Sequence, residues 1–495
     1  MQYIGMDLGS TNTKAAVYDE KLHCIAVATA PLTYKRSGGL VEFDLNQYRD
    51  TLAGLLRKLM EIPGVRPEEI ERLTLTGQAE TLVVLDRDGD PLMDAISWMD
   101  ERSLEECKEM AEKFPKEEYA ARTGQLAVLP TWPATKILWL RKNRPELFGR
   151  AGTYMLLKDY IVYWLTGKRA ADCSIATFTF YFDIYLKCYW EEMLDAIGIT
   201  KEQLPPLVEP CTLAGRLTKE AADLTGLSET VAVNRGALDH FAGMIGTGNV
   251  TAGGLTLSVG TVMGLSVFAP PGWRWQEGAQ EIAMHYGFLP DSYVMLPVAE
   301  SGGVSLEWFR KTCMPEVSYP KLNEELEKRT FPGKLIFLPY LLGTNAPEMD
   351  GEVSGLFYGL RTEHDAYDMA AAVMEGVAFL LRKNCEALRE AGTKIRYIVA
   401  TGGGSKSAVW CQMQADITGL PVVIPREKEA ACFGAALAGA VEAGMFTSYQ
   451  EAADSCVKME TRYEPRRIEK YERKYRQFCV LYQAMVSVER MGREE

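Results

Sequence analysis

The sequence predicts an α/β protein of two related lobes that face a cleft. Predicted strands and helices alternate along the chain, and a glycine-dense connector runs from Gly246 to Gly254, close to the midpoint of the 495 residues. Each half opens with the same pattern, at 3–19 and at 255–267: two apolar runs that flank a turn of small, hydroxyl-bearing residues. A repeat of this kind indicates two similar structural units. We therefore expect domains at 1–246 and 247–495.

Hydrophobic periodicity locates the other elements of the first half. The helix predicted over 44–61 has Asp44 as its N-cap and apolar residues at helical spacing. Strands are predicted at 71–76 and 81–86, and helices at 101–113, 134–143 and 155–166, the last of which ends at Gly167.

The second half continues the same alternation. After the hairpin at 255–267, the pattern predicts a strand at 334–338, an amphipathic helix over 365–390, a strand at 395–400 and helices over 405–418 and 430–443. The segment 463–490 interleaves basic and acidic residues. That mixture is typical of a solvated helix with i, i+4 ion pairs, rather than of a basic binding patch.

Composition excludes several classes of function. The net charge of −13 and the absence of a long basic run argue against nucleic-acid binding. Eleven cysteines without a C-x-x-C pair, and four histidines without metal-site spacing, argue against a disulfide framework and a zinc site. No secretory signal is recognised, and the longest weakly polar stretch, 430–441, falls short of the ~20 residues that span a bilayer. We therefore expect a cytoplasmic protein without a membrane partner.

The turns of the two repeated hairpins are candidate phosphate-binding loops. They comprise residues 9–13 and the pair Gly260-Thr261. Backbone N–H groups of small residues can approach an anion closely, and hydroxyls add donors. Each turn alone could be an ordinary turn, but their repetition at the start of both halves favours the phosphate role. Asp7, at the end of the first strand, is placed to hold Mg²⁺ directly or through water, with a turn-capping role as the alternative.

Two further segments could carry chemistry. Residues 401–407 join a strand to a helix, and their three glycines permit close approach of a ligand. This segment is neither a P-loop nor a G-x-G-x-x-G fingerprint. Asp239 lies among small and apolar residues just before the connector, near the predicted cleft floor, where a carboxylate could take a proton from a hydroxyl. A helix cap or a buried hydrogen-bonding group is the alternative.

Together and in this order, these pieces resemble the FGGY carbohydrate kinases, which belong to the superfamily of sugar kinases, actin and Hsp70. The resemblance covers about residues 2–445 of the chain. It rests on the segments 5–11, 98–102, 136–140, 257–261, 337–341, 402–404 and 433–436, and on Asp239.

The resemblance implies two ribonuclease H-like lobes, as in actin-like ATPases, that flank a nucleotide cleft. It also implies Mg²⁺-dependent transfer of phosphate from ATP to a sugar or polyol, with Asp239 as the catalytic base and Asp7 as the acid associated with Mg²⁺. The positions that match the ATP site are Gly9, Ser10, Thr11, Asn12, Thr13, Lys14, Gly260, Thr261, Gly303, Glu307, Gly402, Gly403, Gly404 and Ser407.

The acceptor pocket departs from both well-known patterns of this family. Xylulokinases carry Gln-Met-His-Gly and glycerol kinases carry Gln-Arg-Glu-Thr where this chain has Gln78-Ala79-Glu80-Thr81. Glu80 therefore matches the polyol-binding acid of glycerol kinases, but Ala79 replaces their arginine, and Thr131 stands where they place a tyrosine. The candidate hydroxyl-reading residues are Gln78, Glu80, Trp98, Asp100, Trp132 and His240, with a core role as the alternative for Trp132.

The sequence thus predicts a kinase of a small ketose or polyol, with the pentulose class first and glycerol- or erythritol-like polyols second. Two other interpretations stay open. One is an actin- or Hsp70-like ATP-driven switch that acts on a protein partner, and the other is an inactive relative that binds sugar without turnover. The sequence also leaves open whether the protein forms a homodimer. The residues do not specify the acceptor, the phosphorylated carbon or any regulator.

Overall fold

Two main β-sheets organise the fold, one formed by each half of the chain. The structure is a computed structural model that describes residues 1–279, 281–466 and 468–491. Its strands are β1 Gln2–Leu8, β2 Asn12–Tyr18, β3 Cys24–Pro31, β4 Lys35–Ser37, β5 Leu40–Phe43, β6 Ile70–Gly77, β7 Leu82–Leu85, β8 Ala95–Ile96, β9 Thr153–Leu156, β10 Ala171–Asp172, β11 Phe182–Asp183, β12 Cys188–Tyr189, β13 Leu207–Val208, β14 Leu213–Arg216, β15 Ala232–Asn234, β16 Gly254–Val259, β17 Met263–Phe268, β18 Met284–Tyr286, β19 Tyr293–Met295, β20 Val298–Ala299, β21 Ile336–Leu338, β22 Leu356–Tyr358, β23 Tyr397–Thr401, β24 Val422–Pro425 and β25 Met459–Tyr463.

Helices cover both faces of these sheets, as is usual when parallel strands are buried. The α-helices are α1 Leu45–Met60, α2 Leu104–Lys113, α3 Lys116–Thr123, α4 Pro133–Asn143, α5 Pro145–Arg150, α6 Leu157–Thr166, α7 Cys173–Ala176, α8 Glu191–Ile197, α9 Lys219–Thr225, α10 Asp239–Gly246, α11 Gly303–Cys313, α12 Tyr319–Glu327, α13 Ala366–Glu390, α14 Ala408–Thr418, α15 Ala430–Glu442, α16 Tyr449–Cys456 and α17 Ile468–Met491.

The repeat predicted from the sequence is also a repeat of topology. The first main sheet has the strand order β14-β15-β6-β1-β2-β3, and the second has the order β18-β19-β17-β16-β23-β24-β25. In the first sheet, β1 pairs antiparallel with β2 and parallel with β6. In the second sheet, β16 pairs antiparallel with β17 and parallel with β23 in the same way. Both predicted hairpins are therefore present, each at the centre of its sheet.

Local signals placed several helices correctly. The Asp44 side chain accepts hydrogen bonds from the N–H groups of Asn46 and Gln47, at 2.8 and 3.0 Å, and so caps the start of α1 as predicted. The leucines that face the sheet from α1 are buried. The long helix α13 begins at a reciprocal cap formed by Asp365 and Asp368, in agreement with the predicted helix over 365–390.

Helices α10 and α15 cross with their backbones in contact, and this crossing joins the two halves. A Cβ atom on Gly434 of α15 would lie 1.8 Å from the carbonyl oxygen of Ala242 in α10. A Cβ on Gly5 of β1 would likewise lie 1.8 Å from the carbonyl oxygen of Cys432. The small residues of 430–441 therefore serve close packing inside the protein. Because Asp239 is the first residue of α10, the crossing also positions that carboxylate.

Helix α2 begins at Leu104 rather than at 101, and three further predicted helix boundaries were also wrong. Residues 153–156 form β9, which pairs with β7, so that α6 begins at Leu157 rather than at 155. The helix predicted from 405 begins at Ala408, after a 3-10 turn at Gly403–Lys406. The C-terminal helix predicted from 463 begins at Ile468, because Met459–Tyr463 pairs with β24; Arg467 lies outside the described residues. In the first and third of these three cases, strand pairing with a distant segment decided the local structure.

All eleven cysteines are free thiols. Those in the interior pack as small apolar residues. Within the described ranges, none of the helices combines the length and apolar character that crossing a bilayer requires.

Candidate active site

The candidate site lies where three chain segments end at the same edge of the first sheet. In the parallel pair of β1 and β6, Leu8 lies opposite Gly77, and Gly77 in turn forms a parallel bridge with Leu238. Asp239 therefore follows the third segment directly, beside the ends of the other two strands. Residues far apart in sequence, among them Asp7, are brought together by this sheet topology.

Two carboxylates, Asp7 and Asp239, share this edge. Desolvation and then the nearby Asp239 raise the pKa of Asp7 to about 7. Desolvation also raises the pKa of Asp239, although His240 opposes that shift. Within the described residues, the buried Oδ1 atom of Asp7 has no hydrogen-bond partner. Two desolvated acids with an unpaired oxygen form a site suited to a cation or to proton transfer.

The tip of the first hairpin is held in place by aromatic side chains. The indole N–H of Trp98 donates to the Ser10 hydroxyl oxygen at 2.9 Å, and the Tyr34 hydroxyl donates to the Ser10 carbonyl oxygen at 2.7 Å. A Cβ on Gly9 would lie 2.7 Å from the carbonyl oxygen of Asn12, which explains the glycine at that position. Residues Gly9 to Asn12, with Thr11 exposed, form the tip.

The side chains of the next two residues of this hairpin contact other parts of the protein. Thr13 is buried, and its hydroxyl lies 3.2 Å from the hydroxyl of Tyr48 in α1. Lys14 donates from Nζ to Oε2 of Glu429 at 2.7 Å, and this hydrogen bond raises the pKa of Lys14 against the effect of desolvation. Glu429 precedes α15 and was missed from the sequence, because a partner 415 residues away leaves no local signal.

The second hairpin tip contacts the start of α11. The Gly260 carbonyl oxygen accepts from the Gly303 N–H at 2.7 Å, and the Thr261 carbonyl oxygen accepts from the Val304 N–H at 3.1 Å. The tip and Gly303 are therefore adjacent, as the resemblance implied. Glu307 lies one turn further along α11, where its carboxylate pairs with Lys311 at 2.6 Å.

The triple-glycine turn lies beside the second hairpin. Gly402 has φ of +79°, and a Cβ there would lie 2.7 Å from the carbonyl oxygen of Val259, the residue before Gly260. A Cβ on Gly404 would lie 2.8 Å from the Val259 side chain, whereas Gly403 is exposed. This close approach is possible only for glycine.

Ser407 is occupied as a helix cap. Its hydroxyl oxygen accepts from the Trp410 N–H at 3.2 Å, and the hydroxyl donates to Oδ1 of Asn323 at 2.7 Å. Ser407 thus starts α14 and ties it to α12. Its hydroxyl is engaged within the protein, although it lies close to the triple-glycine turn in the chain.

Two of the predicted acceptor residues belong to the same edge as Asp239. The Gln78 amide donates to the Leu8 carbonyl oxygen at 3.4 Å and accepts from the Thr81 hydroxyl at 2.8 Å. Desolvation raises the pKa of Glu80 to about 7; Lys136 opposes the shift, and Asp239 adds to it. The carboxylates of Glu80 and Asp239 are therefore electrostatic neighbours, as expected of two groups that line one pocket.

The structure places Asp100 within a network of charges and main-chain groups. Arg102 donates from Nε to Oδ1 of Asp100 at 2.7 Å and from a terminal nitrogen to Oδ2 at 2.8 Å. The Val41 N–H also donates to Oδ2, at 2.5 Å. Both carboxylate oxygens of this fully buried side chain are thus engaged. In this geometry, the Asp100 carboxylate is occupied by protein donors and is not free to bind a sugar hydroxyl.

Trp132 and His240 both pack against other parts of the protein. Trp132 is 4% exposed, stacks on Phe180 at 6.0 Å between ring centroids and donates its indole N–H to the Ala127 carbonyl oxygen at 3.0 Å. The ring of His240 packs over Gly264 of β17, where a Cβ would lie 2.7 Å from Cε1. Trp132 is thus a core residue, and His240 joins α10 to the second hairpin.

Comparisons with known proteins agree with this architecture. Residues 2–246 match the N-terminal domain model of the FGGY family of carbohydrate kinases, and residues 284–443 match the C-terminal domain model of that family. The chain is 30% identical over 478 residues to a xylulose kinase of Bacillus subtilis strain 168, covering 95% of each chain. It is 28% identical over 462 residues to the L-xylulose/3-keto-L-gulonate kinase of Escherichia coli K12, covering 91% of this chain and 90% of that one. The crystal structure of a xylulose kinase from Rhodospirillum rubrum superposes with a TM-score of 0.90 at 27% identity, over 99% of this chain and 100% of that one.

The chain belongs to the FGGY family of carbohydrate kinases. It is a sugar kinase for which ATP is the co-substrate, and its fold has the two actin-like ATPase lobes of that family. The predicted family, fold class and enzyme class are confirmed. The domain limits at 1–246 and 247–495, and the roles of individual site residues, remain predictions.

Proposed function

We propose that this kinase transfers the γ-phosphate of ATP to a hydroxyl of a pentulose, with Asp239 as the general base. The observation that carries the proposal is the position of Asp239. It lies beside the ends of β1 and β6 in the first half, while the adjacent His240 packs on β17 of the second hairpin. A sugar bound at this carboxylate would therefore lie close to both candidate phosphate-binding turns.

The chemistry needs alignment and charge neutralisation more than covalent help. The acceptor hydroxyl donates a hydrogen bond to Asp239, which takes its proton as the hydroxyl oxygen bonds to the γ-phosphorus and ADP leaves. Backbone N–H groups at the turns around Gly9, Gly260 and Gly403 bind the nucleotide. Closure of the lobes would exclude water and so limit ATP hydrolysis.

Asp7 is the residue that fits a magnesium ion. Mg²⁺ is usually held by one or two carboxylates together with phosphate oxygens and water. Within the described residues, no group of three or more His, Cys, Asp or Glu side chains could hold a metal by itself. The unpaired, buried Oδ1 of Asp7 suits an ion that arrives with ATP. When bound, Mg²⁺ would neutralise charge on the phosphates.

Xylulose-type ketopentoses are the first candidate acceptors. The relatives named above act on xylulose or on closely related ketoses, and they match nearly the whole chain. Glu80 differs from the histidine of the xylulokinase pattern, so the preferred stereochemistry is expected to differ too. A glycerol-like polyol is the second candidate, because Glu80 matches the glycerol kinase acid. Ala79 in place of arginine weighs against it.

The remaining proposals concern the domain division, the cellular location and the oligomeric state of the protein. We keep the domain division at 246/247, which is supported by two main sheets built from residues before and after it. The free cysteines support a reducing, cytoplasmic location. A homodimer is kept as a proposal, and sedimentation of the purified protein would decide it.

A screen of acceptors is expected to identify one strong substrate. Purified protein with Mg²⁺ and ATP would be tested for acceptor-dependent ADP release on ketopentoses, alditols and aldonates. Because matched hydrogen bonds to each hydroxyl discriminate strongly, we expect one ketopentose to exceed its stereoisomers by about 10²-fold or more in kcat/KM. Exclusive use of glycerol or an aldonate would contradict the pentulose assignment. Sugar binding without ADP release would indicate an inactive relative.

The rate should fall in mildly acidic solution. The pKa of Asp7 is raised to about 7 and that of Asp239 is raised above its usual value, so both carboxylates gain protons at a higher pH than ordinary aspartates do. A protonated base cannot accept the hydroxyl proton, and therefore kcat/KM for the sugar should decrease about tenfold for each pH unit on the acid side. The profile is measured from about pH 5.5 to 9. A flat profile over that range would contradict the raised pKa values.

A further inference from the structure

The backbone at Glu80 is strained. The Thr81 N–H donates to the Ala79 carbonyl oxygen at 2.8 Å, which closes a three-residue turn with Glu80 at its centre. Glu80 has φ of +65° there. A three-residue turn with positive φ at the centre is rare and costs on the order of 1–3 kcal/mol. Such strain persists only where the surrounding contacts hold it, and it is concentrated at functional sites.

Thr81 holds one side of this turn. Its carbonyl oxygen accepts from the Leu157 N–H at 3.0 Å. Its hydroxyl donates to Gln78 at 2.8 Å and accepts from the Trp98 N–H at 3.2 Å. Every polar group of Thr81 is thus engaged, so the turn cannot relax by moving this residue alone.

Lys136 of α4 holds the other side. Its Nζ donates to the Glu80 carbonyl oxygen at 3.3 Å and to the Ser97 carbonyl oxygen at 2.8 Å. The side chain is fully buried. In the described part of the chain, the two carbonyl oxygens are the protein acceptors of this ammonium, and no carboxylate lies within ion-pair distance of it.

A buried ammonium with so little direct compensation is costly. Desolvation lowers the pKa of Lys136 to about 7, while Glu80 and Asp100 favour the charged form and Arg102 opposes it. A methionine of similar length would pack at this position without that cost. The lysine therefore serves something other than the stability of the core.

We propose that Lys136 is a positioning residue for the sugar acceptor: it holds the strained turn at Glu80 so that this carboxylate faces the cleft beside Asp239, and its charge favours the ionised carboxylate. An ionised carboxylate accepts hydrogen bonds from sugar hydroxyls more strongly than a neutral one. The inference rests on the proposed function and deepens it, because it names what prepares the acceptor side of the site.

The charge effect has a defined sign. Lys136 lowers the pKa of Glu80, whereas desolvation and Asp239 raise it. Removal of the cation should therefore raise the pKa of Glu80 further and increase its protonated fraction at neutral pH, and raising the pH should restore its charge. The other charged groups that act on this pair are Asp239 on Glu80, and Asp100 and Arg102 on Lys136.

The test is a kinetic comparison of Lys136→Met with the wild type, using the acceptor found in the screen. We expect the KM for the sugar to rise about tenfold or more at neutral pH, and the KM for ATP to stay within about twofold. The sugar KM of the variant should then fall as the pH is raised. In the double variant Glu80→Gln/Lys136→Met, the part of that fall that depends on Glu80 should vanish, because the introduced amide cannot ionise, whereas any part that depends on Asp239 should remain.

Matched variants distinguish a positioning role of Lys136 from a purely structural role. Lys142→Met removes a partly exposed lysine from the same helix and should change neither KM. Lys136→Gln, which keeps an amide donor but no charge, replaces the methionine variant if that fails to fold. An unchanged sugar KM, a sugar KM that does not depend on pH, or failure of both Lys136 variants to fold would overturn the proposal. If the proposed function is wrong, the wild type itself will show no acceptor-dependent ADP release.

Discussion

Asp239→Asn is expected to reduce sugar phosphorylation by about 10²- to 10⁴-fold in kcat, with ATP binding nearly unchanged. That loss corresponds to roughly 3–5 kcal/mol of barrier. Asparagine keeps the size of the side chain and can still accept the His240 N–H at the start of α10. It cannot take the hydroxyl proton, so only the chemical step should suffer. The measurements are acceptor-dependent ADP release and calorimetric titration with ATP.

A control aspartate makes this result specific. Asp223 lies on α9 and is exposed, and Asp223→Asn should therefore have kinetics and stability close to those of the wild type. A full-rate Asp239→Asn enzyme would refute the assignment of the base. Equal loss of ATP binding and turnover would instead indicate that Asp239 supports the site structurally.

Gly434→Ala is expected to destabilise the protein by about 3 kcal/mol or more, because overpacking already costs about 1–3 kcal/mol where side chains can give way. Here the added methyl would lie 1.8 Å from the backbone oxygen of Ala242, so the two helices must separate. That movement also shifts α10, which carries Asp239. We expect a lower free energy of unfolding in denaturant titrations and, in any folded fraction, a reduced kcat.

A second glycine of the same crossing provides the matched control. Gly243 lies in the interior of α10, and a Cβ there would meet nothing within 4 Å. Since glycine in a helix interior costs about 0.5–1 kcal/mol relative to alanine, Gly243→Ala should be neutral to slightly stabilising. If both alanine variants unfold at the same denaturant concentration, the close backbone contact at Gly434 does not limit stability.

Much of the fold could be predicted because its signals are local. The turn residues around Gly9 and Gly260 lie between apolar runs, so both hairpins were visible in the sequence. Asp44 indicated the start of α1 through its spacing to the following apolar residues. Two of the errors occurred where strand pairing overrode local preference, at β9 and β25. Such pairing depends on partners outside the sequence window.

The residues of the candidate site likewise divide into those that the sequence identified and those that only the structure revealed. Asp7, Asp239 and the triple-glycine turn were identified from their positions at the ends of predicted elements and from the family resemblance. By contrast, the engagement of Asp100 by Arg102 and the pairing of Lys14 with Glu429 required coordinates. Lys136 was visible only as part of a family motif, because its main-chain acceptors carry no signature in the sequence.

The order of residues by itself determined an α/β chain with a repeated hairpin, since turn chemistry and hydrophobic period act between near neighbours. The family resemblance added the sugar kinase class. The tertiary structure alone decided which polar groups remain open to a substrate. It left Glu80 and Asp239 desolvated at one edge, and it engaged Asp100, Thr13 and Ser407 within the protein. The physical reason is that desolvation and hydrogen-bond saturation depend on all the segments packed around a group, whatever their distance along the chain.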